Sequence, residues 1–118
     1  MSGETIFGRI QVSPRAISSI VAHTVLRCYG VVGMAPATVR DGIAEILQVE
    51  NLHRGVGVHV VEDHIVIDLY VIIEYGTRVS EVAHNVMESV KFSVEQALSM
   101  PVSEVNVHVQ GIRVSDRD

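Results

Sequence analysis

The chain has 118 residues, of which 47% are hydrophobic and 19% charged, and its net charge is −5. This size and apolar content suit one globular domain, so we expect a single domain over residues 1–118 with short flexible ends at 1–4 and 115–118. The acidic balance argues against a general nucleic-acid binder, which needs a basic surface to displace phosphate counterions. No basic-apolar leader or long apolar stretch occurs, so we expect a cytoplasmic protein without direct membrane insertion.

The N-terminal part is predicted to contain a strand and a helix. Residues 5–12 have the composition of a short strand, in which Gly8 weakens the pairing or marks a bulge. Ser13 and Pro14 start a helix, as N-cap and first helical residue, and apolar residues then recur at three- and four-residue steps. Gly30 is predicted to end this helix.

An apolar connector follows at 31–37, without polar residues to cover it. Such a segment is either tucked under the fold or presented to a partner. Thr38 then offers an N-cap with Asp41 three residues on, which predicts a second, shorter helix. Its stripe is Val39, Ile43, Ile46 and Leu47, and it should end near Leu52 to Gly55.

The C-terminal half is predicted to be strand, strand, helix, strand. Strands at 56–61 and 64–75 flank Glu62-Asp63, which favours a tight hairpin. A long helix follows at about 79–100, capped by Thr77 or Ser80, and Pro101 ends it. A last strand at 105–109 continues beyond Gly111 through Ile112 and Val114. The order β-α-(α)-β-β-α-β predicts an α+β two-layer sandwich: a mostly antiparallel sheet with helices on one face.

The long strand has two different faces. One is uniformly apolar and should face the helices, and it consists of Ile65, Ile67, Leu69, Val71, Ile73 and Tyr75. The other mixes apolar and charged residues, and it consists of His64, Val66, Asp68, Tyr70, Ile72 and Glu74. A face in full contact with water would be more polar, so the second face is a candidate association surface.

No catalytic constellation is visible, and we predict no catalytic residue, no cofactor and no metal. The six histidines lack His-x-x-x-His spacing, although His59, His64 and Asp68 share one predicted sheet face, where a metal site is conceivable. No Gly-x-Ser-x-Gly elbow or phosphate-binding loop occurs. Cys28 lies at a helix-core spacing, which favours inert packing. We therefore do not expect an enzyme.

Two further motifs carry weak functional signals. Gly30-Val31-Val32-Gly33 has the spacing of an RNA-binding clamp, but valines stand where that clamp needs Lys or Arg. Glu81, His84 and Asn85 lie at i, i+3 and i+4 on the long helix, so they share one face. This trio is either a local hydrogen-bonded group or a partner-recognition patch.

Several collinear stretches resemble the alkaline shock protein (envelope stress response) family of bacteria. They are GRIQVS at 8–13, GVVGM at 30–34, IDLYVIIEYG at 67–76 and VNVHVQGI at 105–112. Three more, CYG at 28–30, DGIAEIL at 41–47 and SEVAHNV at 80–86, look like its small YloU-type members. The resemblance implies a cytoplasmic, non-enzymatic protein linked to cell-envelope stress and lipid-related functions, which self-associates and reaches the membrane through a separate anchor protein. It carries over no catalytic residue.

The leading hypothesis is therefore an association or scaffold protein that forms a homo-oligomer or docks on a partner protein. The alternative is a small-molecule or lipid-sensing domain with an aliphatic pocket between sheet and helices, and an RNA-binding module comes third. An oligomer in solution favours the first, a copurified acyl ligand the second and RNA binding at low salt the third. The candidate interface residues are Val31, Val32, Met34, Pro36, Val66, Tyr70, Ile72, Glu81, His84 and Asn85.

Overall fold

The computed structural model describes residues 2–5, 8–38, 45–62 and 64–114, with side chains from residue 12 onward. Two α-helices pack on one face of a four-stranded sheet, and a separate two-stranded sheet lies at the N terminus. The predicted α+β class, the helices on one face and the mostly antiparallel pairing are confirmed. The tail at 115–118 lies outside the described residues.

The N-terminal sheet is a hairpin of β1 (Ser2–Thr5) and β2 (Gly8–Gln11), which pair antiparallel only with each other. The prediction of one strand over residues 5–12 is therefore wrong. Gly8 begins a second strand instead of interrupting the first, and residues 2–4, expected as a flexible end, pair within β1.

Helix α1 (Pro14–Leu26) begins as its sequence dictates. The Ser13 Oγ accepts a hydrogen bond from the Ala16 backbone N–H at 3.1 Å, and Pro14 occupies the first turn, where its missing N–H costs nothing. Of the predicted apolar stripe, Ile17, Val21 and Val25 are fully buried, whereas Ile20 and Cys28 are only partly buried. The helix ends before Gly30, which adopts a φ of +88° in the turn that leads to the sheet.

The main sheet is built around β5 (His64–Glu74). One edge of β5 pairs with two antiparallel strands placed end to end: β4 (Val56–Val61) along 64–69 and β3 (Val31–Met34) along 71–73. The other edge pairs in parallel with β6 (Val102–Arg113). The chain thus leaves the sheet after β3 and returns to the same edge of β5 at β4.

Strand β3 corrects the prediction of a connector at 31–37. Val31 and Met34 are buried in the core, and the Ala35 N–H continues the ladder by donating to the Tyr70 carbonyl at 2.9 Å. Of the two expectations for this segment, the tucked one holds. The reason is that an apolar run with two adjacent valines suits a strand whose side chains pack against the core.

The second helix expected from Thr38 is not found in the described residues. Residues 45–48 are irregular and a 3₁₀ helix follows at Val49–Gly55, while Val39, Asp41 and Ile43 lie outside the described residues. Leu47 is still buried as predicted, because its N–H donates to the Met34 carbonyl at 2.8 Å and fixes the segment against β3.

The β4–β5 hairpin turns where predicted. Val61 pairs with His64, which leaves two residues in the turn, and Glu62 takes a positive φ of 48°. The predicted inner face of β5 is confirmed, since its side chains at 65, 67, 69, 71 and 73 are all fully buried. Tyr75 lies beyond the strand and is exposed.

Helix α2 (Val79–Leu98) covers β5 and β6 through Val82, Val86, Val90 and Val94. Its N-cap is Arg78, without a side-chain hydrogen bond to the helix, so the expected Thr77 or Ser80 cap is wrong. Thr77 Oγ1 instead donates to the Glu74 carbonyl at 2.7 Å. The helix ends at Ser99, whose φ is +55°.

Strand β6 begins three residues earlier than the predicted Val105 and runs unbroken to Arg113. The Glu95 carboxylate accepts a hydrogen bond from the first β6 amide, Val102, at 2.8 Å and so fixes this start. The pairing with β5 skips a residue at two places, which makes Ser103 and Gln110 the extra residues of two irregularities.

Candidate functional site on the open sheet face

The sheet face opposite the helices, called the open face below, carries the polar residues of three adjacent strands. Residues paired across strands share a face, so the register places His59 beside Val66, Asn106 beside Asp68 and His108 beside Tyr70. Val66 and Tyr70 are half-buried. The face is therefore neither a core layer nor an ordinary solvated surface.

Asp68 is the centre of a polar cluster on this face, called the Asp68 cluster below. One carboxylate oxygen accepts from His108 Nε2 and from Asn106 Nδ2, each at 3.2 Å, and the other lies 3.6 Å from His59 Nε2. The Asn106 amide also donates to a Glu104 carboxylate oxygen at 3.1 Å. The Asp68 side chain is only 22% exposed, so the strands rather than solvent hold its position.

The His108 ring is fixed from two sides. It stacks on Tyr70 with ring centroids 4.6 Å apart and ring planes 12° apart, while its Nε2 is hydrogen-bonded to Asp68. Stacking and hydrogen bonding together limit rotation of the ring. A rigid surface of this kind contacts a partner at little cost in side-chain entropy.

Part of this cluster was predicted from the sequence. His59 and Asp68 are brought together as expected, but the third member is His108 and not His64, which is exposed near the hairpin turn. His108 was not predicted, because it comes close to Asp68 only through the parallel pairing of β5 with β6. In the described part of the chain, no three His, Cys, Asp or Glu side chains are arranged to hold a metal ion.

The Asp68 cluster holds no nucleophile among the described residues. No described hydroxyl or thiol is hydrogen-bonded to Asp68, His59 or His108. Two such groups of the chain bond to backbone carbonyls instead: Ser103 Oγ donates to the Ile65 carbonyl at 3.3 Å, and Cys28 Sγ to the Thr24 carbonyl at 3.4 Å. Without a nucleophile, a His–Asp pair orients a ring but starts no acyl transfer.

A small apolar cluster lies on the open face, next to the end of β3. Ile72 is fully buried there against Ala35 and Val32. The Gln110 side chain reaches across and donates to the carbonyls of Pro36, at 3.3 Å, and of the next residue, at 2.9 Å. This bridge closes the open face at one end and leaves the part around the Asp68 cluster open.

The candidate interface residues of β3 and β5 differ in how far they are buried. Val31, Met34 and Ile72 are buried by packing within this chain, so their side chains are not exposed to a partner. Val32 and Pro36 are partly exposed beside the small cluster. Val66 and Tyr70 remain accessible on the open face.

The Glu81, His84 and Asn85 trio lies exposed on α2, along a shallow groove of about 390 Å³. Its members do not bond one another. Glu81 pairs with Arg78 at 3.2 Å, and His84 pairs with Glu88 at 3.1 Å. These are helix-surface pairs, each worth only a few tenths of a kcal/mol, roughly 0.2–0.5.

A second groove, of about 430 Å³, runs between α2 and the start of β6. The strand contributes five consecutive residues, 102–106, to its lining, and α2 contributes Met87, Lys91, His84 and Glu88. Consecutive residues of a strand point to alternate faces, so a groove that touches all of them lies against the strand edge. No strand in the described ranges pairs with that outer edge of β6.

Comparison with known families identifies the chain. The model of the alkaline shock protein 23 family, described as having a cell envelope-related function, matches residues 2–114. The chain belongs to this family. The match confirms the resemblance found in the sequence. None of the helices within the described residues is long and apolar enough to cross a membrane.

Curated members of the family are similar over nearly their whole length. The uncharacterized protein YloU of Bacillus subtilis (strain 168) is 44% identical over 113 residues, which are 95% of this chain and 94% of the relative. The uncharacterized protein Spy1614 of Streptococcus pyogenes serotype M6 is 37% identical over 108 residues, covering 91% and 89%. Neither description records an activity.

Solved structures share the fold at low sequence identity. A zinc form of a MamM CTD variant superposes with a TM-score of 0.50 at 14% identity, over 82% of this chain and 84% of the other. A second MamM CTD variant gives 0.51 at 15% identity, over 84% and 98%. At such identities the similarity shows the fold alone.

Proposed function

We propose that this member of the alkaline shock protein family is a non-enzymatic, cytoplasmic association protein, which self-associates and thereby acts as a scaffold in a cell-envelope-related role. The observation that carries the proposal is that the main sheet has an uncovered face region and an unpaired strand edge. Helices cover one face, whereas no described helix or strand packs on the part of the other face around the Asp68 cluster, and no described strand pairs with the outer edge of the 12-residue strand β6.

An open strand edge favours association, because its backbone N–H and C=O groups match those of any further strand. The open face beside it has the mixed character of a protein contact surface, with half-buried Val66 and Tyr70 next to the fixed Asp68 cluster. Small soluble proteins that remain monomers usually protect such an edge with charge, proline or a covering segment. The middle of β6, from 105 to 109, contains neither proline nor a charged Lys, Arg, Asp or Glu.

Two considerations weigh against the alternatives. The Asp68 cluster lacks a nucleophile among the described residues, which disfavours an acyl-transfer enzyme. The inner sheet face and the helix stripes are packed against each other as one core, and three grooves lined by described residues, of about 390 to 430 Å³, open on the surface instead of between the layers. This packing weighs against a lipid pocket between sheet and helices.

The test is the mass of the purified chain in solution. Size-exclusion chromatography with light scattering, followed by sedimentation equilibrium up to several hundred micromolar, should give a mass above that of one 12.9 kDa chain. A strict monomer over that range would refute self-association. Copurification with an envelope protein from native cells would then be the remaining form of the scaffold role.

A further inference from the structure

We propose that two copies of this chain pair through their β6 outer edges, antiparallel about a twofold axis at Val107, and so form one continuous sheet. This deepens the proposed function and rests on it, because it names the self-association surface. Twofold pairing of identical edges is the simplest closed arrangement for an open sheet, since each copy offers the other the same strand.

The irregularities of β6 lie on either side of Val107. The residues without a partner on β5 are Ser103, four positions before Val107, and Gln110, three positions after it. In an antiparallel pair centred on Val107, the residue numbers of opposite residues sum to 214, so Ser103 lies opposite Gly111 of the second copy and Glu104 lies opposite Gln110. The two irregularities therefore lie next to each other, and the faces of the two strands match again beyond them.

This register keeps like faces together along the whole strand. On the helix-covered face, Val102 lies opposite Ile112 of the second copy, and Val105 lies opposite Val109. On the open face, Asn106 lies opposite His108 of the second copy, so the two Asp68 clusters become neighbours across the axis. Shifting the register by one residue would place apolar residues opposite polar ones throughout.

The two ends of β6 also complement each other. The C-terminal end exposes Ile112 at 52% and Val114 at 77%, while the N-terminal end borders the groove lined by Met87 and Val105. Antiparallel pairing brings each exposed end to the groove of the other copy. The apolar contacts would bury side chains that are exposed in the single chain.

A distance measurement tests the register. Ser103, replaced by Cys in a Cys28→Ser background and spin-labelled, lies opposite Gly111 of the second copy, which leaves room for the label. The two labels are then offset by eight residue numbers. Because Gln110 is an extra residue and Ser103 itself lies between two paired positions, this stretch spans about 6.5 residue spacings of β5, or about 22 Å. A register in which the residue numbers of opposite residues sum to 212 or 216 changes this offset by about 7 Å. Double electron–electron resonance on the full chain should give one main distance near 22 Å, broadened by the label linkers.

A substitution tests the same surface without a label. Ile112→Lys should weaken dimerisation at least about tenfold, because the groove would have to bury an ammonium group. Val49→Lys, at a residue 80% exposed on the 3₁₀ helix, is the matched control and should leave the dissociation constant unchanged. Circular dichroism of both variants should match that of the unmodified chain.

The outcomes separate the two proposals. If the unmodified chain is monomeric at every concentration, self-association fails and this interface fails with it. If the chain dimerises but the distance lies far from 22 Å, or Ile112→Lys dimerises as tightly as Val49→Lys, the β6 interface is wrong while the association function stands. A main distance near 22 Å together with selective weakening by Ile112→Lys supports both.

Discussion

Replacing Gly30 with alanine should destabilise the fold much more than the same replacement at Gly76. Both glycines have a positive φ, +88° at Gly30 and +92° at Gly76, so both variants lose a similar backbone preference, about 1–2 kcal/mol. Their surroundings differ. A Cβ on Gly30 would lie 2.6 Å from Val82 Cγ2 and 3.2 Å from Cγ1, whereas one on Gly76 meets nothing within 4 Å.

The contact at Gly30 adds the cost of overpacking against α2, about 1–3 kcal/mol. We therefore expect Gly30→Ala to lose about 2–5 kcal/mol of unfolding free energy and Gly76→Ala about 1–2. Urea unfolding followed by circular dichroism measures both losses. Combining Gly30→Ala with Val82→Ala should cost less than the sum of the single changes, because the clashing methyl groups are gone. Equal losses in the two glycine variants, or strict additivity with Val82→Ala, would show that the close approach is not what requires Gly30.

Three further substitutions test other parts of the structure by the same unfolding assay. Ile72→Ala should cost about 2–5 kcal/mol of unfolding free energy, because it leaves a cavity in the fully buried small cluster. Val61→Ala, at an exposed residue of the same face, should change it by no more than about 0.5 kcal/mol, and equal losses would contradict the burial of Ile72. Glu95→Ala should cost about 1–2 kcal/mol by removing the acceptor of the first β6 amide, and Glu95→Gln, which keeps a carbonyl oxygen, should recover most of it. Asp68→Ala should cost about 1–3 kcal/mol, because the contacts with His59, His108 and Asn106 are lost. His64→Ala, on the same face, should be nearly neutral. A neutral Asp68→Ala would mean that solvent replaces the contacts of the carboxylate.

The parts of the fold that the sequence predicts are those with a long regular pattern. The alternation along β5 identified its buried face, and the valines of α2 identified the helix stripe, because each pattern repeats over several turns or pleats. Strand β3 was missed because four residues containing a glycine are too short to show a period. The N-terminal hairpin was read as one strand because nothing between Thr5 and Gly8 has a typical hairpin-turn sequence.

The candidate site was predictable only in part, for a geometric reason. His59 and Asp68 are joined by a two-residue turn, so counting along the hairpin brings them to one face. His108 reaches Asp68 through the parallel β5–β6 pairing, whose register follows the packing of α2 and two irregularities that no local pattern reveals. The burial of Ile72 likewise depends on where the chain passes after β3.

The arrangement of β3 and β4 on one edge of β5 makes the intervening segment a closed excursion. Met34 pairs with Val71 and Val56 pairs with Leu69, so its two ends lie only two residues apart along β5, or about 7 Å. Lengthening a loop with fixed, neighbouring ends costs only about 0.6 kcal/mol for each doubling of its length. A reporter peptide inserted next to the exposed, irregular Glu45, within this excursion, should therefore leave every strand pairing, including the free β6 edge, in place.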